Sequence, residues 1–385
     1  MDEDEDRRRE YIPHELVSEI LTRLDVKSLT RFRSVSTLWN STIVHPSFSK
    51  SHLSRSSAGA GAPVTLVLFF INRFNSERTI FSVKIPPKQT RSQPNPTRIL
   101  TIPGFGHPFV SQSLNGLICF NLGAMCVCNP STRKFLKLPW TITENPSPSR
   151  ASTHHRKNAF GFDPVSDAHK VLDTWITYNE NELIMEHKIF TVGAGCNKWW
   201  KIADGPPYFP FNESVCINGQ IYFRALTSMT GSEEAVMVAF DVNREEFRFI
   251  QMHDDAIANS EEAVLIELDG HLAIVHHHDN ELSMLVLTDE EDAKWVKKHV
   301  EVPAMCSEVN DRRRFKFAGT RFSGEMIFAA RSLEKPFYVY FYDIKKNEAK
   351  KVEICGLADF KLDYSTVLMN TMSVCEHEET IKCLT

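Results

Sequence analysis

A hairpin signal recurs along most of this 385-residue chain. The dipeptides Asn115-Gly116, Asn218-Gly219, Asp269-Gly270 and Ser323-Gly324 each separate two short apolar runs. Asn-Gly and Asp-Gly pairs readily adopt the positive φ angles of a two-residue turn, so each of these sites predicts a tight β-hairpin. The pattern therefore favours antiparallel β-structure over most of the chain.

The hairpins belong to a longer unit that repeats about every 50 residues. Each hairpin is followed by a loop, an apolar strand, a polar turn and a further strand, as in 127–135, 238–247 and 339–346. Four antiparallel strands per unit are typical of a β-propeller blade, whereas a helical solenoid would need apolar spacings of three and four. Residues 109–354 supply five complete blades, and residues 64–102 supply most of a sixth.

A ring of blades must close, because an open sheet edge would invite aggregation. Residues 364–374 have the composition of a strand but no unit of their own. We expect this segment to pair with the strand near residues 66–71 and to complete the first blade.

A different periodicity occupies residues 11–53. Apolar residues recur at helical spacing from 13 to 24, again from 26 to 35, and a third time after Ser36. These patterns predict three short helices with more apolar surface than so small a unit can bury. Another part of the chain, or a partner, must cover the remainder.

This N-terminal region resembles an F-box along its whole length. The resemblance rests on the runs 12–24, 26–36 and 39–43, with Ile12 where the family commonly has Leu, an exchange that keeps the side-chain volume. In that family the helices dock on a Skp-type adaptor, which connects the protein to a cullin scaffold and to ubiquitin transfer. The resemblance implies that adaptor contacts come from Ile12, Pro13, Leu16, Val17, Ile20, Leu21, Leu24, Leu29, Val35, Trp39 and Ile43. Of these, Trp39 is the best suited to a place in the core, together with Phe32.

The β region carries a second resemblance. Residues 113–119, 129–133, 160–164 and 240–242 look like the F-box-associated domain of plant F-box proteins, a relative of the kelch-like β-propellers. The units here are too irregular for ordinary kelch repeats. The resemblance implies a mainly β fold with a small all-α N-terminal module, in which a three-helix F-box precedes a β-propeller. The count of repeat units predicts six blades.

These patterns divide the chain into five segments. Residues 54–63 are rich in Ser, Gly and Ala, have no apolar periodicity and are typical of a flexible linker. The expected segments are a charged tail at 1–10, the F-box at 11–53, the linker at 54–63, the propeller at 64–375 and a C-terminal tail at 376–385.

Composition excludes several classes of function. A net charge of −5 gives no overall attraction to nucleic acid or to an anionic membrane. The longest apolar run, 64–71, is far shorter than the roughly 20 residues that a membrane-spanning helix needs, and the charged N-terminus is unlike a signal peptide. Nine scattered cysteines favour a reducing compartment, the cytoplasm or the nucleus.

The sequence also carries no recognisable catalytic motif, neither a phosphate-binding glycine loop nor a nucleophile elbow nor paired Cys-x-x-Cys sites. Cys126 and Cys128 share one strand face without partner ligands, which indicates core positions. Three consecutive imidazoles at 276–278 cannot converge on one ion, so that run is assigned to a solvated loop. The sequence therefore predicts a protein that is not an enzyme and needs no cofactor.

Two functions stay open. In the first, the F-box delivers the protein to a ubiquitin ligase while the propeller holds an unidentified protein target. In the second, the propeller is a small-ligand sensor or an enzyme-like site at its central channel. Acidic, His or Cys residues from several blades would favour the second function, but the blade openings carry Leu, Phe, Val and Ile, which favours the first.

The repeat also predicts where the target binds. Successive strands run antiparallel, so the turns between strands one and two and between three and four lie on one rim, and the links between strands two and three lie on the other. These links, which differ in length and chemistry, are 121–125, 178–182, 224–234, 276–281 and 331–336. We expect the target on this second rim, with Arg224, His277 and Arg331 as contacts, and the blade sides as the alternative.

Overall fold

The fold is described from a computed structural model of the full chain. Its described residues are 13–57, 63–72, 76–86, 94–102, 109–121, 125–142, 153–179, 182–193, 195, 197–203, 205, 207–211, 213–227, 235–252, 257, 260, 262–278, 281–302, 315–333, 336–357 and 369–384. The predicted tail at 1–10 lies outside these residues.

The N-terminal module contains four helices, one more than the three expected. They are α1 (His14–Thr22), α2 (Val26–Phe32), α3 (Thr37–Val44) and α4 (Pro46–Ser57). The Asp25 side chain caps α2 by accepting a hydrogen bond from the Ser28 amide, and Ser36 caps α3 in the same way. Pro46 ends the third apolar pattern but opens a fourth helix, because a proline in the first helical turn loses no hydrogen bond. The first part of the predicted linker, up to Ser57, is therefore helical.

The rest of the chain forms twenty-four strands among the described residues. The first twelve are β1 (Val64–Asn72), β2 (Arg78–Ile85), β3 (Asn95–Ile102), β4 (Ile118–Asn121), β5 (Met125–Asn129), β6 (Lys134–Lys137), β7 (Thr153–Asp163), β8 (Ala168–Asn179), β9 (Glu182–Thr191), β10 (Trp200–Lys201), β11 (Phe209–Pro210) and β12 (Val215–Ile217). The others are β13 (Gln220–Leu226), β14 (Ala235–Asp241), β15 (Glu246–Gln251), β16 (Val264–Leu268), β17 (His271–His278), β18 (Glu281–Asp289), β19 (Lys294–Glu301), β20 (Phe315–Thr320), β21 (Met326–Ala330), β22 (Tyr338–Asp343), β23 (Glu348–Glu353) and β24 (Met369–Glu376).

These strands build six antiparallel sheets, which are the six blades expected from the repeat. In chain order, the blades are β24-β1-β2-β3, β4-β5-β6, β7-β8-β9-β10, β11 and β12 with β13-β14-β15, β16-β17-β18-β19, and β20-β21-β22-β23. Blade 2 has no full inner strand among the described residues, and isolated bridges at Val110 and Leu114 stand in its place. The prediction of a mainly β chain with a six-bladed propeller is confirmed.

Closure of the ring follows the predicted pairing. The last strand, β24, lies antiparallel to the first, β1, with Leu66 opposite Glu376 and Asn72 opposite Met369. The predicted segment began at 364, and its residues 364–368 lie outside the described part of the chain. Blade 1 thus combines the two ends of the β region. Because β24 pairs with β1, β1 is not left as an open sheet edge.

The two rims of the ring differ as the strand directions require. The turn rim carries the turns 115–116, 130–133, 164–167, 218–219 and 269–270, and the loop rim carries the links between strands two and three as well as the links from one blade to the next. Positive φ angles at Asn115, Gly116, Asn218 and Gly219 show the predicted left-handed turns. The large apolar side chains pack between neighbouring blades, as Phe70 of blade 1 does against Phe337 of blade 6.

Candidate functional site: adaptor surface, loop rim and channel

The F-box helices separate the predicted adaptor residues into two groups. Val17, Leu21, Leu29 and Ile43 lie in the core of the module, each no more than 7% exposed. On α1, residues 17 and 21 share the face that packs against the other helices, because positions four apart lie on one side of a helix. These four residues hold the module together and do not present themselves to a partner.

The second group faces outward. Leu16 and Ile20 are both 50% exposed on the adjacent, outward side of α1, and Val35 is 60% exposed after α2. Pro13 is exposed as well, while Leu24 and Trp39 are half-buried. The Trp39 ring meets that of Phe32 edge to face at 5.3 Å, as expected for a core contact. Ile12 lies outside the described residues.

The three predicted target contacts on the loop rim differ in their exposure. Arg224 is 0% exposed, because β13 extends through residue 226 and directs this side chain between blades 4 and 5. Its guanidinium binds the Glu213 carboxylate and the carbonyl oxygens of Ser260, at 2.7 Å, and Ala263, at 3.2 Å. The prediction that Arg224 contacts a target directly is wrong, since its hydrogen bonds secure the links that border blade 4.

His277 is likewise a strand residue and not part of a loop. It lies in β17, is 7% exposed, and packs edge to face on Phe328 of blade 6 with ring centroids 5.3 Å apart. The expected solvated loop at 276–278 is therefore the end of a strand, and His277 is removed from the contact set. Arg331 keeps a side chain 37% exposed on the loop rim and lies 3.8 Å from the Glu262 carboxylate.

An exposed aromatic patch on the same rim has no counterpart among the residues predicted from the sequence. Trp140 and Ile142, on the link that follows β6, are 62% and 68% exposed. The Arg156 guanidinium lies 5.7 Å from the centroid of Trp140 and 5.1 Å from that of Trp175. We call Trp140, Ile142, Arg156 and Trp175 the tryptophan patch. The signal that could have revealed it was a tryptophan directly after a strand, at the start of a polar, proline-containing stretch.

A buried ionic network fixes this patch in place. The Arg156 side chain donates to both carboxylate oxygens of Asp173, at 2.6 and 2.8 Å, and the Asp173 side chain is fully buried. Thr141 donates to the same carboxylate at 2.5 Å and receives a hydrogen bond from the Trp175 ring at 3.2 Å. A charged group whose hydrogen bonds are satisfied by a buried partner stays in one orientation, so the patch is a rigid platform.

The central channel contains a cavity of about 380 Å³ whose described lining comes from blades 1, 2, 4, 5 and 6. Contrary to the expectation of apolar openings, Glu213, Glu267, Asp269 and Glu376 all line it. Three of these carboxylates form ion pairs within the chain, with Arg224, Lys345 and Arg321 respectively for Glu213, Asp269 and Glu376. Partial burial raises the pKa of the remaining one, Glu267. The protein's own cations thus offset most of the negative charge in the channel.

Candidates for a catalytic or metal centre are the described cysteines of the propeller core and any described group of metal-ligating residues. Cys126 and Cys128 are 4% and 0% exposed, which confirms their core positions. Burial raises the pKa of the Cys126 thiol to about 11 and that of Cys128 to about 12, which keeps both protonated. No group of three His, Cys, Asp or Glu side chains among the described residues could hold a metal ion. None of the described helices has the length and hydrophobicity to cross a membrane.

Comparison with known proteins agrees with this architecture. Residues 11–51 match the F-box domain family, and residues 66–376 match the family described as F-box associated beta propeller domain. The Arabidopsis thaliana protein named F-box protein At1g30790 is 32% identical over 97% of this chain and 98% of its own length. F-box protein DOR of the same plant is 28% identical over 98% of this chain and 95% of its own.

Solved structures resemble the chain only remotely. The β-propeller domain of the Trilobed protease from Pyrococcus furiosus is 8% identical, with a TM-score of 0.37 over 78% of this chain and 80% of that one, a likeness too low to support an argument. The sequence families, by contrast, cover both modules almost from end to end. This chain belongs to the family of F-box proteins that carry an F-box-associated β-propeller domain.

Proposed function

We propose that this protein is the substrate-recruiting subunit of a Skp–cullin–F-box ubiquitin ligase. The F-box binds a Skp-type adaptor, and through it the cullin scaffold, while the propeller holds the protein that is to be ubiquitinated. The observation that supports this role is the placement of two exposed apolar surfaces on opposite sides of the ring. Leu16 and Ile20 are exposed on the module that lies at the turn rim, and the tryptophan patch is exposed on the loop rim.

The adaptor surface consists of the outward group of F-box residues. Monomeric proteins expose few contiguous apolar side chains, and those they do expose commonly mark partner sites. Pro13, Leu16, Ile20 and Val35 are therefore the direct contacts in this proposal. Val17, Leu21, Leu29 and Ile43 contribute by keeping the helices in place.

The target surface is the loop rim, centred on the tryptophan patch and including Arg331. Tryptophan and arginine are the residues that most often dominate the binding energy of protein interfaces. The buried network under Arg156 holds the patch in one arrangement, which lowers the entropy cost of binding. The blade sides remain the competing location, and the experiment below separates the two.

The test is affinity purification of the full chain from plant cells in which the proteasome is inhibited. Three variants are compared with the wild type: Leu16→Ala with Ile20→Ala, Trp140→Ala with Ile142→Ala, and the control Trp200→Ala. Trp200 is 54% exposed on the outer strand of blade 3, so it matches Trp140 in type and exposure but not in location.

We expect the F-box variant to lose the adaptor and retain a captured protein, and the patch variant to do the reverse. The control should retain both. A target captured undiminished by the patch variant but lost with Trp200→Ala would move the site to the blade sides. An F-box variant that is folded and still holds the adaptor would overturn the proposed role.

A further inference from the structure

The residues after β24 do not form the expected free tail. Residues 377–384 have no regular secondary structure, yet His377, Thr380, Ile381 and Leu384 are each no more than 5% exposed. A segment without helix or strand is buried in this way only when other parts of the chain satisfy its polar groups. The polar partners come from the propeller, and the F-box provides apolar contacts.

Blade 2 provides most of the polar partners. The two ring nitrogens of His377 lie 2.9 Å from the hydroxyl oxygens of Ser113 and Ser131. The Asn129 amide donates to the carbonyl oxygens of Thr380 and Lys382, both at 3.0 Å. At Gly116 a Cβ atom would lie 2.2 Å from the Thr380 side chain, so only glycine allows this close approach. The segment is therefore fitted to the turn rim.

The two apolar side chains at the end of the segment point to different modules. Ile381 enters the F-box core beside Leu21, Leu29 and Phe48. Leu384 enters the core between blades 2 and 3 with Phe160. Within the part of the chain that the structure describes, Ile381 is the only residue beyond the F-box itself in that core cluster. Ile381 thus covers part of the apolar surface that the F-box helices cannot bury among themselves.

An ion pair between the two modules is weaker. Lys50 of α4 pairs with Asp167 of blade 3 at 3.1 Å, but the two side chains are 61% and 36% exposed, and such surface pairs contribute little. Beside the segment, a cleft of about 350 Å³ lies between the F-box residues Arg33 and Asn40 and Lys134 of β6. Direct packing between the two modules is therefore incomplete at this point.

We propose that residues 377–384 are a brace that locks the F-box onto the turn rim, with Ile381 as its positioning residue. One continuous segment closes the propeller through β24, crosses blade 2 and ends with side chains in both modules. The brace sets the direction in which the F-box presents its adaptor surface relative to the loop rim. If the proposed function holds, the brace therefore fixes the distance between the bound target and the ligase machinery during ubiquitin transfer.

The test measures the distance distribution between spectroscopic labels carried by noncanonical amino acids at Ser51 on α4 and Lys298 on blade 5, both exposed. It is made on the isolated full chain without adaptor or target, so its result is independent of ligase activity. Four chains are compared: the wild type, Ile381→Val, Ile381→Asp, and a chain that ends after Lys382 and so lacks the Leu384 anchor. Adaptor binding and the melting of the propeller are measured on each.

We expect one narrow distance peak for the wild type and for Ile381→Val, which retains an apolar side chain. Ile381→Asp should lose that peak and give a broad distribution, while the propeller still melts as a unit. The shortened chain keeps the hydrogen bonds that His377, Thr380 and Lys382 make to blade 2, so its distance peak should broaden less than that of Ile381→Asp. In the shortened chain, adaptor binding should stay within a few fold of the wild-type value, because Ile381 still completes the F-box core.

Two results would overturn the brace. A narrow peak in Ile381→Asp would show that other contacts fix the F-box. A broad distance distribution in the wild type would show that residues 377–384 do not hold the F-box on the turn rim. Either result would leave adaptor binding and target capture, and hence the proposed function, to stand on their own tests.

Discussion

The two rims of the propeller are built from different kinds of interaction. On the turn rim, local geometry recurs from blade to blade: the side chains of Asn129, Asp241, Asp289 and Asp343 each accept hydrogen bonds from backbone amides two and three residues later. The loop rim has no such repeat among the described residues. Long-range contacts occur there instead, such as those of Arg224, which reaches the carbonyl of a residue 39 positions away.

This difference separates structural from recognition surfaces. Side-chain oxygens that bond to amides two and three residues on form a turn from local sequence alone, so the turn rim is repetitive and offers a regular support for the F-box and the brace. Links that depend on distant partners can vary in length and chemistry without disturbing the blades. The loop rim is accordingly where an exposed patch such as Trp140 and Ile142 is tolerated.

The largest effect on stability is expected from opening the ring. Ending the chain after residue 362 removes β24 and the brace, which exposes the edge of β1 and deprives the F-box of Ile381. Because an exposed apolar strand edge promotes aggregation, we expect loss of the cooperative melting transition and aggregation on expression. A melting curve and an elution volume like those of the full chain would contradict closure by β24.

Substitutions at exposed and at buried positions of α1, on the turn-rim side, should have different effects. Leu16→Ala with Ile20→Ala should weaken adaptor binding by roughly 100-fold or more with little change in melting temperature, since interface hot spots cost about 2 kcal/mol or more. The buried control, Leu21→Ala, should instead destabilise the F-box by about 2–5 kcal/mol. Titration with a purified adaptor and denaturant unfolding report the two effects. Equal behaviour of the two variants would refute the division of α1 into an outer and an inner face.

Gly116 tests the dependence of the turn rim on backbone geometry. Its φ is +76°, and an added Cβ would lie only 2.2 Å from Thr380, so Gly116→Ala is unfavourable on two counts. We expect a loss of about 2 kcal/mol or more in the free energy of unfolding. Gly270→Ala is the matched control, because its φ is +83° but nothing lies within 4 Å of its added Cβ. Similar losses in the two variants would mean that contact with the C-terminal segment adds nothing.

The brace should also make stability depend on pH. Burial lowers the pKa of His377 to about 3, below the ordinary value near 6.5. As the pH falls below 6.5, the unfolded chain takes up a proton that the folded chain excludes, so stability decreases as the pH falls toward 3. Between pH 7 and 5 this amounts to about 2 kcal/mol.

Denaturant unfolding at pH 7 and 5 measures this effect, with His377→Gln as the comparison. The variant should lose less stability than the wild type between the two pH values. Burial also lowers the pKa of His169, which faces Lys382, so a smaller dependence of the same sign should remain in the variant. An unchanged pH dependence in His377→Gln would show that this histidine is protonated in the folded chain.

The smallest effect on stability is expected on the loop rim. Trp140→Ala with Ile142→Ala removes two side chains that are more than 60% exposed, and surface substitutions usually change stability by no more than about 0.5 kcal/mol. The melting temperature should therefore stay close to that of the wild type even where target capture is lost. A large decrease would assign the patch a structural role and weaken its place in recognition.

The residues that could be predicted are those whose structure is set by near neighbours. The Asn-Gly and Asp-Gly turns, the four-strand unit and the six blades follow from local turn chemistry and strand patterning. The pairing of the last strand with the first follows from the requirement that a ring of blades close. The helical spacing of residues 13–24 likewise predicted an amphipathic α1. It could not decide which of Leu16 and Val17 faces outward, because both positions border the apolar stripe of so short a helix.

Only the tertiary structure decided what depends on distant partners. Arg224 and His277 looked like loop residues because a strand end in this region has no sequence signal, and burial comes from neighbouring blades that no local pattern specifies. The C-terminal residues resemble a tail because they have neither periodicity nor turn chemistry. Ile381 is buried because F-box residues such as Leu21 and Leu29, more than 350 positions earlier in the chain, pack around it. The sequence by itself determined the blades and the turns between them, whereas packing between distant segments determined how the F-box is held and which surface is left free for a target.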